Sequence, residues 1–579
     1  MRHFIISAVC LASLYASNTA LAQRSATDLF PETTVVYAEI AHPDALLKEV
    51  LEHSFLRDLK RSQPGEKLLS NADFVQFQVV LSFLELRLGM TWDEAVSALT
   101  KNGAAIGVDA STNGVGLVLH GESAEVVEEL RTTLMQMATE EAEKKGKKQP
   151  YKTDEYRGVT VYDTGNGGFG TYESWVLFTN NGKLGTKMID RLLDGGEKSL
   201  SQNEQFASAV SKRGDHDFWA YVNLSDLRNI PKVQKSLSSQ AENPLVEVLV
   251  GGLQEVLRHT PYLTLNANLE SNRFAIDANV PHDPKDVAEA REYWFGPNGE
   301  GSANPQLNLE GSILSLSSYR NVSEMWLRAG DLFDERMNDK LAEADGTLTT
   351  LFSGKDFGED ILGAVQPQIQ LQVVRQQFAE DGPVPAIKIP AFALRLHLRD
   401  PEASTRELRR TFQSLIGFLN VVGAQNGQPQ LELDFANEQG VDLVSAHYVP
   451  DASQKNSKSA PINFNFSPSV AFFGDRFIVA STRQLAEQLV VAEPVESGEN
   501  NQQIDNTLLS IDTHTLSDAL KDNRSQLVAQ NMLEKGNSRE EAQATIDAIL
   551  EFLHFVNAVE FSAATNSESG TFGVHLEVH

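Results

Sequence analysis

Short stretches in which apolar and polar residues alternate are separated by runs with helical spacing, and this succession occurs twice along the chain. Each occurrence opens with a predicted strand running into a helix. These are Thr34 to Ile40 with Pro43 to His53, and Ser312 to Tyr319 with Val322 to Phe333. Asn321 followed by Glu324 supplies a capping-box-like start for the later helix.

The middle segments match closely. Leu117-Val118-Leu119-His120 precedes a helix carrying Glu129-Leu130-Arg131-Thr132-Thr133-Leu134, and Leu394-Arg395-Leu396-His397 precedes one carrying Glu407-Leu408-Arg409-Arg410-Thr411-Phe412. In the first of these helices Val126, Val127, Leu130, Leu134, Met137 and Ala138 form one apolar stripe. Gly158-Val159-Thr160-Val161 then corresponds to Gly440-Val441-Asp442-Leu443. A predicted hairpin leads into the next helix. Trp175 to Phe178 turns through Asn180-Asn181-Gly182, and Val470 to Phe473 turns through Gly474-Asp475, with Thr186 and Ser481 as expected helix N-caps. Each succession closes with a strand (Phe218 to Leu224; Leu508 to Asp512), a helix (Leu245 to Leu257; Ala542 to Phe555) and a hairpin (Tyr262 to Val280; Val559 to Val578).

The pattern predicts two tandem copies of one unit, residues 23–283 and 309–579, joined by a linker over 284–308 that contains Gly296-Pro297-Asn298-Gly299-Glu300-Gly301. Tight turns between strands favour antiparallel sheets with helices packed on one face, an α+β class. In the linker, Tyr293-Trp294-Phe295 is a candidate anchor. It suits an interface if exposed, or the docking of the two lobes on each other if buried.

Composition narrows the setting. Arg2 and His3, the apolar run Phe4 to Tyr15 and Ala20-Leu21-Ala22 read as a signal peptide over residues 1–22. Cys10, the only cysteine, sits inside it, so the mature chain is expected to hold no disulfide and no thiolate metal site. A large cysteine-free exported chain points to a bacterial envelope, with the periplasm first and the extracellular space second. The net charge of −30 opposes nucleic acid and anionic lipid surfaces. No later run is long enough for an integral membrane segment.

Motifs with chemistry are few. Gly165-Asn166-Gly167-Gly168-Phe169-Gly170 fits a dinucleotide-binding spacing, but strands flank it where a helix should follow, so it reads as a hairpin loop. Asp109, Ser111, Asn113 and Gly114 resemble the start of a calcium loop, yet His120 stands at the bidentate position, and a β-turn accounts for them. His120 and His397 match between the copies and are expected on a solvent face, opposite in parity to Leu117, Leu119, Leu394 and Leu396. Lys144, Lys145, Lys147, Lys148 and Lys152 form a basic cluster suited to a helix C-terminus. No nucleophile elbow, phosphate loop or zinc-helix motif is present, and no catalytic, cofactor-binding or metal-binding residue is expected.

The opening Leu29-Phe30-Pro31-Glu32-Thr33-Thr34-Val35-Val36-Tyr37-Ala38 and the repeated hairpin-to-helix segment resemble a group of exported bacterial α+β proteins built on a domain of unknown function. The resemblance implies an export signal and a long α+β body, and it brings no activity. The expectation is a non-enzymatic two-lobed scaffold or binding protein whose partner is an envelope protein or an apolar ligand. The alternatives are a carrier or chaperone for apolar envelope molecules, and a hydrolase with a dispersed site.

Overall fold

The computed structural model describes residues 24–62, 65–66, 69–144, 151–195, 198–352, 354–378, 384–449, 459–494, 505–565 and 568–578. The expected signal peptide, Lys145, Lys147, Lys148 and the Asn566-Ser567 turn lie outside them. The protein is α+β, and it divides into two compact units. One is built from residues up to Arg61, from Gly65–Val233 and from Pro261–Ser271; the other from Ser62–Pro64, Gln234–Thr260 and Asn272–His579.

The first unit contains β1 (Thr34–Ile40), β2 (Ala104–Asp109), β3 (Gly114–His120), β4 (Lys152–Tyr156), β5 (Val159–Asp163), β6 (Gly168–Tyr172), β7 (Trp175–Thr179), β8 (Phe218–Asn223) and β9 (Tyr262–Glu270). They pair antiparallel in the order β4-β5-β6-β7-β3-β2-β1-β8-β9. Tyr37, Val118, Leu177, Trp219 and Tyr221 on one sheet face pack with Leu184, Met188 and Leu192 of the Gly182–Asp194 helix and with Phe206. Rings drive this core: Tyr37, Phe206 and Trp219 meet edge to face at 5.5–6.3 Å. The Ala124–Lys144 helix lies against the opposite face, where the Arg131 guanidinium covers the Tyr162 ring at 5.5 Å.

The second unit contains β10 (Arg273–Pro281), β11 (Ser312–Tyr319), β12 (Gln368–Val374), β13 (Val384–Pro385), β14 (Ala391–His397), β15 (Leu431–Glu438), β16 (Val441–Tyr448), β17 (Ser459–Ala460), β18 (Ser469–Phe473), β19 (Arg476–Ala480), β20 (Asp505–Asp512), β21 (Val556–Thr565) and β22 (Ser569–Val578). Strands β13 and β17 form a small parallel pair. The others run antiparallel in the order β15-β16-β18-β19-β14-β12-β11-β20-β21-β22-β10. The Arg483–Val491 helix packs on Ala393, Ala471 and Ile478; the Pro401–Gln425 helix packs on the other face, on Val444, Val470 and Phe472. Helices therefore take both faces of the outer strands in each unit.

Four details differ from what the sequence predicts. The first hairpin is β6–β7 with its turn at Glu173-Ser174, and β7 runs straight into a helix. Asn181, not Thr186, is the N-cap, its side chain accepting from Lys183 and Leu184 backbone N–H groups, while Thr186 lies inside the helix and bonds to Gly182 O. Thr482, not Ser481, caps the corresponding helix of the second unit. The 284–308 segment is built into the second unit instead of standing free. Its short helices and an extended stretch at 301–308 are hydrogen-bonded there, and the Pro244–His259 helix and β10 belong to the same unit.

Candidate functional site

Sidedness of the second unit's sheet is the unusual feature. The apolar residues of its central strands line up across the register. Val479 faces Leu394, which faces Leu371, then Leu316, Leu509, Phe561, Val574 and Ile276. Two residues along each strand, Phe392, Val373, Leu314, Ile511, Val559, Leu576 and Phe274 make a second row on the same face. None of these side chains is buried. Phe392 is 49 % exposed, Val574 41 %, and Val479, Leu394 and Ile276 close to that.

The opposite face of the same strands is polar and closed. Ser315, Ser317, Gln370, Gln372 and Arg395 are all 5 % exposed or less. Extended residues 301–308 lie over them. Gln370 donates to Pro305 O at 2.7 Å, Ser317 to Asn304 O, and Gln306 to Ser315 O at 3.0 Å, while the Arg395 guanidinium donates to Ala492 O. Backbone groups of an extended segment satisfy buried amides and hydroxyls as well as water does, so covering the polar side costs little. The consequence is a wide apolar surface left open, which isolated surface leucines do not explain.

The first unit repeats this in milder form. Val115, Val108, Val36, Val222 and Leu263 share one row, and Leu117, Ile106, Ala38, Ala220 and Leu265 the next. Ile106 is 45 % exposed, and of these residues only Ala220 is buried.

The matched histidines follow from the same sidedness. Val118 and Arg395, which share the parity of the two histidines expected on a solvent face, point to closed faces, whereas Leu394 is half open. His120 is accordingly half-buried, stacked on Trp175 at 3.8 Å with Nε2 beside Ser174 Oγ, and burial holds its imidazole below the usual range. His397 pairs with Asp475 at 3.0 Å.

Tyr293-Trp294-Phe295 is buried, each ring 1 % exposed, and its partners belong to the second unit. Tyr293 OH donates to Glu247 Oε1 at 2.9 Å, and Trp294 Nε1 donates to Val248 O at 3.1 Å. Arg291 reaches the same Glu247 carboxylate at 3.0 Å; burial raises that carboxyl despite the cation beside it. Arg320 lies over the Trp294 ring at 4.0 Å and donates to Val248 O, Tyr319 O, Asn506 Oδ1 and Thr507 Oγ1. The triplet is thus an internal tie between the Pro244–His259 helix and the end of β11.

Asp109 is fully buried and holds a turn. Its carboxylate accepts from Thr33, Ser111 and Thr112; although burial opposes ionisation, these bonds keep its pKa below the ordinary value. Gly165 and Gly167 lie in the turn that joins β5 to β6, and Gly168 and Gly170 lie in β6 itself, where a dinucleotide site would need a helix. Among the described residues no group of three or more His, Cys, Asp or Glu is placed to hold a metal ion, and no helix is long and apolar enough to cross a membrane.

No protein-family model matches the chain, and no curated protein matches it. Solved structures of TP0453 are similar at a low level. Crystal form III is 8 % identical over 45 % of this chain and 80 % of its own, with a TM-score of 0.25; form I is 10 % identical over 45 % and 79 %, at 0.24; form IV is 9 % identical over 46 % and 83 %, at 0.26. Likeness at that level assigns neither fold nor role.

Proposed function

We propose that this is an exported, non-enzymatic binding protein of the bacterial envelope that carries an apolar molecule on the open sheet face of its second unit. One observation carries the reading: two adjacent rows of leucine, isoleucine, valine and phenylalanine cross the sheet from β19 to β10 without being buried. A chain that spends such residues on an uncovered face gains by having them covered, at about 25 cal/mol for each Å² removed from water. The non-catalytic part is supported by the structural use of the polar candidates, since Asp109 holds a turn, His120 stacks on Trp175 and Arg320 ties elements together. The matching strand orders of the two units, with helices inserted at corresponding places, support an origin by duplication.

The test is affinity capture of the mature protein from an envelope extract, with mass spectrometry of lipids and proteins, alongside titration with a fluorescent long-chain fatty acid. Acyl-chain lipids are expected in the captured fraction. Leu394→Lys with Val479→Glu should weaken the fatty acid at least tenfold while leaving the melting temperature within about 2 °C, because both side chains are more than a third exposed and the new charges pair across the register. Capture of a protein without lipid would transfer the face to a scaffold role. Recovery of nothing above background, with no saturable fatty-acid binding, would end the proposal.

A further inference from the structure

The first unit contains a hollow that the open sheet faces do not account for. Between strands β5–β7 and the N-terminal half of the Gly182–Asp194 helix lies a half-open cavity of about 420 Å³, in the size range of small-molecule sites. The sheet register explains why it is there. Asp154, Val161, Gly170 and Leu177 stand side by side across β4, β5, β6 and β7, and Asp163, Gly168 and Thr179 form the next row on that face. Gly168 and Gly170 on the strand side and Gly182 and Gly185 on the helix side line the hollow and place no side chain in it. A Cβ added at Gly182 would meet nothing within 4 Å.

The second unit shows the same arrangement filled. There the row Ala436, Leu443, Ala471 and Ile478 replaces Asp154, Val161, Gly170 and Leu177. Under the Arg483–Val491 helix, whose Ala486 takes the place of Gly185, Ala471, Ile478 and Ala486 are all 0 % exposed. Gly170 and Gly185 of the first unit thus have alanines at the matching places in the second. The hollow is a property of these residues and not of the fold.

Its chemistry is selective. Val161, Leu177, Met188 and Ile189 supply apolar walls, and the carboxylates of Asp154 and Asp163 stand on the strands at its side. Neither carboxylate forms an ion pair among the described residues. Asp154 accepts from Glu155 N and Asp163 from Gly165 N. Among the described residues no lysine, arginine or histidine lines the cavity, and Lys152, which pairs with Asp163 across the register, is exposed beside it. We propose that this cavity binds an amphiphilic organic cation, an apolar body ending in a protonated amine, with the amine held by Asp154 and Asp163. Charge complementarity excludes the corresponding anion, and the apolar walls require a chain or ring system beyond the amine.

The experiment is isothermal titration of the full mature chain with dodecylammonium below its micellar concentration, with dodecyl sulfate and dodecanol as controls. Saturable dodecylammonium binding is expected, with dodecyl sulfate at least tenfold weaker. Asp154→Asn with Asp163→Asn should lower dodecylammonium affinity at least tenfold and leave dodecanol unchanged. Gly182→Leu, whose added atoms start in open space, should abolish binding without lowering the melting temperature. The Leu394→Lys, Val479→Glu protein should retain it, which separates this site from the open face of the second unit. Absence of saturable binding, equal binding of the sulfate, or undiminished binding by Gly182→Leu would each overturn the proposal.

Discussion

Arg320 gives the sharpest test of how the second unit is held together. It is 1 % exposed and has no carboxylate partner among its hydrogen bonds, so its charge is met by oxygen dipoles and by the Trp294 ring. Burial accordingly depresses its pKa. Replacing it with methionine keeps most of the volume and removes four charge-assisted hydrogen bonds. Bonds of that kind are worth about 1.5–3 kcal/mol each, and they are not additive. Against their sum stands the desolvation cost of the guanidinium, several kcal/mol, which methionine does not incur. Two of the freed acceptors keep another donor, since Val248 O still receives Trp294 Nε1 and Asn506 Oδ1 still receives the Thr507 hydroxyl. The net loss is therefore about 3 kcal/mol, or roughly 6 °C in a domain of this size. Arg320→Lys should recover less than half, because a single ammonium cannot span acceptors on the Pro244–His259 helix, β11 and β20 together. Urea unfolding followed by tryptophan fluorescence and far-ultraviolet circular dichroism measures this. A loss below about 1 kcal/mol for Arg320→Met would refute the view that the guanidinium is the tie.

Two further outcomes follow from the same packing. Gly252→Ala should destabilise the second unit by about 2–3 kcal/mol in urea unfolding, because an added Cβ would sit 2.2 Å from the buried Trp294 ring, and an unchanged midpoint would contradict that contact. Burial holds His120 and His282 below the ordinary imidazole value, with His282 stacked on Phe295. Stability from their neutral forms is complete above the unfolded pKa near 6.5 and is lost as pH falls below it. Melting temperatures between pH 7.5 and 5.5 should therefore fall less steeply for the His120→Gln, His282→Gln protein than for the unaltered chain; parallel slopes would exclude the two histidines as the cause.

Much of the local structure was legible in the residues. Strands Thr34–Ile40 and Ser312–Tyr319, the closing helices and the closing hairpins stand where alternation and helical spacing put them, and Asn321 caps its helix as expected. These features depend on a few neighbouring residues, and a strand's period of two or an Asn side chain's reach to the next turn is a local matter. The predicted Val322 to Phe333 helix breaks into Val322–Leu327 and Ala329–Leu332, with Arg328 outside helical geometry at the joint.

Alternation along β11, β12 and β14 states that the two faces differ, but not which one is closed. The face of His397 is expected open and that of Leu394 and Leu396 closed; on β14 Arg395 is closed and Leu394 half open, because residues 301–308 and Ala492 bring carbonyl groups onto Ser317, Gln370 and Arg395 from outside these strands. The Gly165–Gly170 loop shows the same limit. Its residues announced a turn, while the cavity beside it exists only once a helix is laid over glycines in β6. What the sequence by itself determined is the set of strands, helices and turns and their α+β class. Which face stays open, and where a hollow remains, was decided by tertiary contacts, since burial is a property of what one segment meets rather than of the segment alone.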